Sequence, residues 1–384
     1  MTRSFNAIGQ GAFYVEKFQG DKSITIVYDC GSNSKRILHK RIEENFAKDE
    51  EIHAVYISHF DNDHVNGLEK LISHCHIRKI FIPFLDESEK SLLLSFLIMK
   101  DVGKKSFNLK SIQDSFLYKF IENPDFLLNS QLDIQVIKVK VSSDSHDPEP
   151  KRFNILENIP SSVASGTEFY IDCVEGLKWL YIPYNFQYEE RGEQFRSALL
   201  EILQIIPSPC NWVQLIQSKS NLIVEIKELF KSLAIEGDIN SNSMVVYSGL
   251  SKMEKDNRSD FNLEYDYIKH CHLCTPVHEK KEKVGCLYTG DYDASENWED
   301  LKLHYQTYWE SIGVLQVPHH GSLLSHHKDI VNCKLDFAVI SAGAKRPHGH
   351  PHEEVIVDFC NARIPWFLVT ENSYSKLDFK IYLA

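Results

Sequence analysis

The apolar run Ala54-Val55-Tyr56-Ile57 is followed at once by Ser58-His59-Phe60-Asp61-Asn62-Asp63-His64. A short run that is β-branched and aromatic predicts a buried strand, and Leu68, Leu71 and Ile72 recur at helical spacing after Gly67. Four side chains able to ligate a metal ion therefore stand on one tight strand-to-helix loop. Residues two apart on an extended segment project the same way, so His59 and Asp61 are placed to grip one ion while Asp63 and His64 turn toward a second. Imidazole and carboxylate donors suit zinc, with manganese or iron as alternatives. The competing account is a solvated surface loop. Solvation alone does not explain four ligand-type residues crowded directly after a buried strand.

Later apolar runs end in the same way. Gly285-Cys286-Leu287-Tyr288 leads into Thr289-Gly290-Asp291, where the glycine lets the backbone turn and delivers Asp291 at the strand end. An aspartate there also serves as a helix cap, because the pattern from Ala294 onward is helical. Val314-Leu315-Gln316-Val317 ends in Pro318-His319-His320-Gly321-Ser322, and Asp336 to Gly343 leads to His348-Gly349-His350-Pro351-His352. A lone histidine on a loop is more often solvated than ligating. Three successive strands ending in ligand types predict convergence on one edge of a sandwich.

His59 to His64 resembles the HxHxDH motif of the metallo-β-lactamase superfamily, with Asp61 in place of the second histidine. The order TGD, VPHHGS, ISAG and GHPHEEV resembles the nuclease-like domain of ComEC-type DNA-uptake proteins, here as a free-standing soluble protein. The opening pair of strands, with Gly9, Gly11 and the Asp29-Cys30-Gly31 turn, fits the same likeness, although Ala12 stands where an acidic residue is common. The resemblance implies an αββα sandwich of the α/β class carrying a large, mostly helical insertion. It implies two divalent metal ions, zinc foremost and manganese second, held by His59, Asp61, Asp63, His64, Asp291, His320 and His350. Asp291 would bridge the ions, and Asp29 would support them from behind. No histidine stands near Ser243, where many superfamily members place a ligand, so His320 or His319 fills that gap. His319 and His320 are not separable from sequence: one serves as ligand, the other as proton donor or phosphate contact. Asp63, His319 and His320 are the expected catalytic residues.

The resemblance covers residues 1–85 and 240–384, expected as the catalytic domain. Residues 86–239 are expected as an insertion or cap, part of which supplies core strands. This middle segment is rich in Leu and Phe at helical spacing, with strands expected around Leu132 to Val141 and Phe169 to Pro183, and has no ligand cluster; Lys227 and Lys231 would face a large substrate if it roofs the site. The polar stretch 142–150 reads as an exposed loop, and Cys271-His272-Leu273-Cys274 is a single CxxC without a second pair.

The 54 acidic residues against 42 basic ones give a net charge of -12, which excludes a global positive field that would recruit nucleic acid. Nine cysteines, an odd number, fit reduced thiols. The sequence shows neither a signal-peptide pattern nor a run of membrane-spanning length, so a cytoplasmic protein without membrane contact is expected. The resulting expectation is a binuclear metal-dependent hydrolase, a phosphodiesterase or nuclease using a metal-bridging hydroxide. The alternatives are a lactonase, thioesterase or small-molecule phosphodiesterase on the same scaffold, or a component of a complex activated by a protein partner bound through the insertion. Nucleic acid or another phosphodiester is the expected substrate.

Overall fold

The computed structural model describes the chain except residues 21–22, 102–107, 130–131, 142–150, 173–176, 187–193, 195–196, 199, 202–227, 229–242, 252–260, 268–278, 281–282, 347–348 and 384. The polar stretch 142–150, Lys227, Lys231, the CxxC at 271–274 and His348 lie outside the described residues.

In chain order the strands begin with β1 (Thr2–Phe5), β2 (Gly11–Phe18), β3 (Ile24–Ser32), β4 (Glu51–Ile52), β5 (Ala54–Tyr56), β6 (His76–Ile77) and β7 (Lys79–Pro83). The middle of the chain gives β8 (Gln135–Val139), β9 (Arg152–Asn154), β10 (Ser162–Val163), β11 (Glu168–Asp172) and β12 (Lys178–Asn185). The last third gives β13 (Met244–Leu250), β14 (Phe261–Tyr267), β15 (Glu279–Lys280), β16 (Gly285–Tyr288), β17 (Ile312–Gln316), β18 (Phe337–Ser341), β19 (Trp366–Val369) and β20 (Leu377–Leu383). The helices are α1 (Lys35–Asn45), α2 (Asn62–Val65), α3 (Leu68–His74), α4 (Glu87–Asp101), α5 (Leu109–Gln113), α6 (Phe116–Glu122), α7 (Phe126–Asn129), α8 (Ala294–His304) and α9 (Glu353–Asn361).

One sheet runs β10-β8-β7-β5-β3-β2-β1-β20-β14-β15 and a second runs β19-β18-β17-β16-β13-β12-β11-β9, while β4 and β6 pair separately. The sheets pack face to face because alternate residues of each strand are apolar on the inner side: Tyr14, Tyr28, Tyr56 and Phe81 of the first meet Trp179, Tyr181, Val246 and Tyr288 of the second. Their rings stack, Tyr28 on Tyr288 at 4.9 Å and Tyr56 on Tyr181 at 5.7 Å between centroids. The other face of the first sheet, with Val27, Val55 and Ile80, is covered by Leu38 of α1, Leu71 of α3 and Ile98 of α4. The outer face of the second, with Val245, Leu287 and Leu315, is covered by Trp298 of α8 and Phe359 of α9. The expected α/β class is therefore present, as helices outside two packed sheets.

The middle of the chain divides between layers. Strands β8 and β10 extend the first sheet, β9, β11 and β12 extend the second, and α4 and α6 pack on the first sheet's outer face. Segment 86–239 thus contributes strands to both sheets as well as helices.

Strand direction and one bulge decide where the polar loops gather. In the first sheet β3, β5, β7 and β8 are parallel, and in the second β16, β17, β18 and β19 are parallel. Parallel strands deliver their C-terminal loops to a common edge. The bulge is an irregularity between β2 and β3, where Ala12 pairs with Gly31 but Tyr14 pairs with Tyr28. Asp29, the extra residue within it, sits at φ 55. Val27 faces the helices and Tyr28 the second sheet, but Cys30 faces the helices again, so the alternation slips by one at Asp29. That slip turns the Asp29 carboxylate toward Ser58 and His64.

Candidate metal centre

The loop after β5 runs into the single-turn helix α2, which carries Asp63 and His64. Its backbone closes through His64 N–H to Asp61 C=O at 2.9 Å and Val65 N–H to Asp61 C=O at 3.0 Å. From the second sheet, the turn after β16 brings Asp291 and the turn after β17 brings His319 and His320. Both histidines and Gly321 have left-handed backbones, with φ of 47, 56 and 79, and two consecutive non-glycine residues there mark a turn held by its surroundings. Asp291 is not the cap of α8: Asp293 accepts from Ser295 N–H and fills that position, which leaves the Asp291 side chain for the centre.

Two groups of side chains converge. His59, His64 and Asp291 form one, Asp63, His64 and His320 the other, and in each the ligand atoms lie within 4.8 Å of one another. His64 belongs to both. Its Nε2 is 3.1 Å from Asp291 Oδ1 and 3.4 Å from His320 Nε2. His320 Nε2 lies 3.4 Å from both Asp63 Oδ2 and Asp291 Oδ1, while His59 Nε2 is 3.8 Å from Asp291 Oδ2.

Neighbouring groups fix each ring. His64 Nδ1 donates to Asp29 Oδ2 at 2.8 Å, and Asp29 also accepts from Ser58 N–H and Ser58 Oγ at 2.7 Å each. His320 Nδ1 donates to the Ser341 carbonyl at 2.8 Å. His59 Nδ1 pairs with Ser58 Oγ at 2.9 Å and Ser243 Oγ at 3.3 Å. With Nδ1 engaged, Nε2 of each ring is the atom presented to the centre. His319 Nδ1 pairs with Ser325 Oγ at 2.9 Å, and its Nε2 is 3.7 Å from Asp291 Oδ2.

The donor set suits a cation on two counts. First, His59 Nε2 is buried without a hydrogen-bond partner, an arrangement that a coordinate bond to a metal relieves. Second, the carboxylates demand positive charge: burial acts to lower the pKa of His64, but Asp291 and Asp29 reverse this and hold it well above the usual histidine range. Asp291 is driven the other way, since His320, His64 and His319 overcome the effect of its burial and keep it well below the usual carboxylate range. Burial pushes His59 down to about 3, so that ring is neutral and its nitrogen lone pair is open at neutral pH. These His and Asp groups could hold a metal ion.

The remaining candidates sit around this pair of groups. Asp61 belongs to neither; it is half-buried, and burial together with the charges of Asp63 and Asp291 pushes its carboxyl up to about 7. His350 also belongs to neither, its ring centroid lying 5.5 Å from that of His319 and 6.4 Å from that of His320. Burial and the neighbouring histidines lower it to about 3. The pairing read from the sequence, His59 with Asp61 and Asp63 with His64, is thus rearranged around His64. Ser58, Gln316, Ser325 and Ser341 escaped sequence reasoning; a polar residue at the last position of an otherwise apolar strand was the available signal for Gln316 and Ser341.

Fold and centre together define an α/β protein with a buried His and Asp cluster, able to hold a metal ion, at the ends of its parallel strands. The family model described as Anti-Pycsar protein Apyc1 matches residues 9–161. The match takes in Asp29 and the whole loop from Ser58 to His64, covers less than half of the chain, and ends before Asp291, His319, His320 and His350. No curated protein matches the chain. This finding corrects the identity expected from the sequence: the matching family is an anti-Pycsar one, not a metallo-β-lactamase or ComEC-type family, and the nuclease reading that rested on that likeness falls with it. The HxDxDH spacing misled because it reports a donor arrangement, which different families can share, and not the substrate. Among the described residues no helix is long and apolar enough to cross a membrane.

Proposed function

We propose that the chain is a metal-dependent phosphodiesterase that hydrolyses a cyclic nucleotide. The observation that carries this reading is the pair of His and Asp groups joined at His64, of which His59, Asp63 and His64 stand on a loop inside the segment that matches the anti-Pycsar family. That family suggests degradation of cyclic nucleotides, whose phosphodiester is the bond such a centre is suited to open.

His59, Asp63, His64, Asp291 and His320 would hold the divalent cations, with Asp61 and His350 as further ligands; zinc suits this donor set best and manganese next. When bound, the ions supply Lewis-acid polarisation of a phosphoryl oxygen and a water acidic enough to react near neutral pH. The chain's own residues do the rest. Asp29 and the Ser341 carbonyl hold His64 and His320 as fixed Nε2 donors. His319 faces the rim with its Nδ1 on Ser325 and stands ready to pass a proton from Nε2 to the leaving oxygen. Segments 1–85 and 240–384 carry these groups, while α6 of 86–239 packs on the loop from within the core, with the Phe120 and Phe60 ring centroids 5.9 Å apart.

The test is elemental analysis followed by turnover. About two ions per chain are expected, with zinc or manganese supporting hydrolysis of at least one purine or pyrimidine cyclic monophosphate and leaving linear DNA uncut. A protein that holds metal yet opens no cyclic nucleotide refutes the reading.

A further inference from the structure

We infer that Gln316, whose side chain hydrogen-bonds Thr289, Gly290 and Val317, is the positioning residue that sets the distance between Asp291 and the histidine pair. The inference rests on the metal-centre reading and adds the device that assembles it.

Gln316 is the last residue of β17 and is 2% exposed. Its carboxamide spans the gap between two loops that carry candidate ligands. Oε1 accepts from Thr289 N–H at 2.8 Å and from Gly290 N–H at 2.8 Å. Nε2 donates to the Gly290 carbonyl at 3.2 Å and to the Val317 carbonyl at 2.9 Å. The Thr289 hydroxyl returns a bond to the Gln316 carbonyl at 2.8 Å, and His319 N–H donates to the Gly290 carbonyl at 3.1 Å. The Gln316 side chain thereby fastens the Thr289-Gly290-Asp291 turn to the root of the Pro318-His319-His320 turn at Val317, and the His319–Gly290 backbone bond closes the link. The histidine turn needs fastening: His319 and His320 are at φ 47 and 56, conformations that non-glycine residues leave readily without support.

The chemistry selects a carboxamide. Two N–H groups and two carbonyls converge on this buried point, so the side chain must accept and donate at once, which glutamine does and neither carboxylate nor thioether does. In Gln316→Glu, the acceptor oxygen toward Thr289 and Gly290 is kept, but a second oxygen faces the carbonyls of Gly290 and Val317. In Gln316→Met, the shape is kept and every side-chain bond is lost. Both changes free Asp291 to move against His320.

The test compares wild type, Gln316→Glu, Gln316→Met and a stability control, Ser248→Ala. Ser248 lies between the sheets, where its hydroxyl meets Glu16 Oε2 at 2.7 Å and Trp179 Nε1 at 2.8 Å, so its loss weakens the fold without touching either turn. Zinc affinity is read by competition with a chromophoric chelator on protein shown to be folded by circular dichroism. The imidazole Cε1–H resonances of His64, His319 and His320 are read by NMR in chelator. Expected is a loss of about tenfold or more in zinc affinity for both Gln316 variants, with shifted His319 and His320 resonances, and neither change in Ser248→Ala. Wild-type zinc affinity with unshifted histidine resonances in a folded Gln316 variant overturns the inference, as does an equal loss of affinity in Ser248→Ala. A wild type that binds no zinc refutes the metal centre instead, and the histidine resonances then still decide whether Gln316 sets the turns.

Discussion

Asp29 sits in a left-handed conformation, φ 55, and accepts three hydrogen bonds, two from Ser58 and one from His64 Nδ1. Asparagine tolerates that backbone but lacks the charge and offers an N–H₂ in place of one oxygen. Asp29→Asn should therefore keep the fold and weaken metal binding by about 10–100-fold, as measured by chelator competition, because the His64 ring loses the partner that fixes its tautomer. Asp61 gives a prediction about pH, stated for the metal-free protein in chelator. Its carboxyl is pushed up to about 7 in the fold, from an ordinary value of 3.8. The folded state thus holds this proton more tightly than the unfolded chain; its contribution to stability is complete below about pH 4 and is lost as pH rises through about 7. Asp61→Asn should then raise the Tm at pH 8 and leave it unchanged at pH 4, and a Tm difference independent of pH would contradict the assignment. His59 acts oppositely. Its pKa, lowered to about 3, costs stability as pH falls below the ordinary 6.5, so the variants should be compared with each other at each pH and not across pH. At this scale the sequence was legible where a residue type is rare outside a site: His59, Asp63, His64, Asp291 and His320 announce themselves. Asp29 was expected behind the site from the resemblance and does meet His64 there, but the bulge that turns it and the burial of Asp61 were not legible, because both are set by neighbours distant in sequence.

At the scale of elements, the close approach of β3 to α2 decides whether the loop can form at all. A Cβ added at Gly31 would lie 2.3 Å from His64 N and 2.4 Å from Asp63 C, both backbone atoms that cannot yield without moving α2. Gly31→Ala should destabilise the protein by about 1–3 kcal/mol in urea denaturation and also reduce the number of ions bound per chain. Full metal content in a folded Gly31→Ala protein would show that α2 can shift without consequence. The sequence displayed β5, β16, β17 and β18 plainly, because each is a short apolar run punctuated by glycine, proline or a ligand type. In the middle of the chain it displayed β8, β11 and β12, which fall on the apolar runs 132–141 and 169–183, but not β9 and β10: those are two or three residues long, and their pairing with β11 and β8 is set by packing on the sheets. The αββα expectation survives as an α/β arrangement of two sheets, whereas the family attached to it did not.

At the scale of the whole molecule, the two sheets are held by more than apolar contact. Arg3 of β1 and Glu16 of β2 form a fully buried ion pair at 2.6 Å, and both reach across to the second sheet. Arg3 donates to the carbonyls of Val284 at 3.0 Å and Ser248 at 3.4 Å, and Glu16 accepts from Tyr288 Oη at 2.9 Å, Ser248 Oγ at 2.7 Å and Tyr181 Oη. Desolvating two charges opposes this arrangement, and only the full set of bonds makes it tolerable. Removing one partner leaves the other charge buried and unpaired, so Glu16→Ala should lower the unfolding free energy in urea by about 3–5 kcal/mol. Arg3→Met with Glu16→Leu removes both charges, yet it leaves the Tyr181, Tyr288 and Ser248 hydroxyls without their acceptor. The double variant should therefore recover part of that loss and not all of it, with a measured coupling between the two sites of the sign that makes each single change worse alone. Because the pair lies between the sheets and the candidate metal centre at their edge, zinc affinity of the folded Glu16→Ala protein should match wild type. A fall in affinity as large as that of Asp29→Asn would mean that the sheet interface and the centre move together, and that the edge is not a rigid platform.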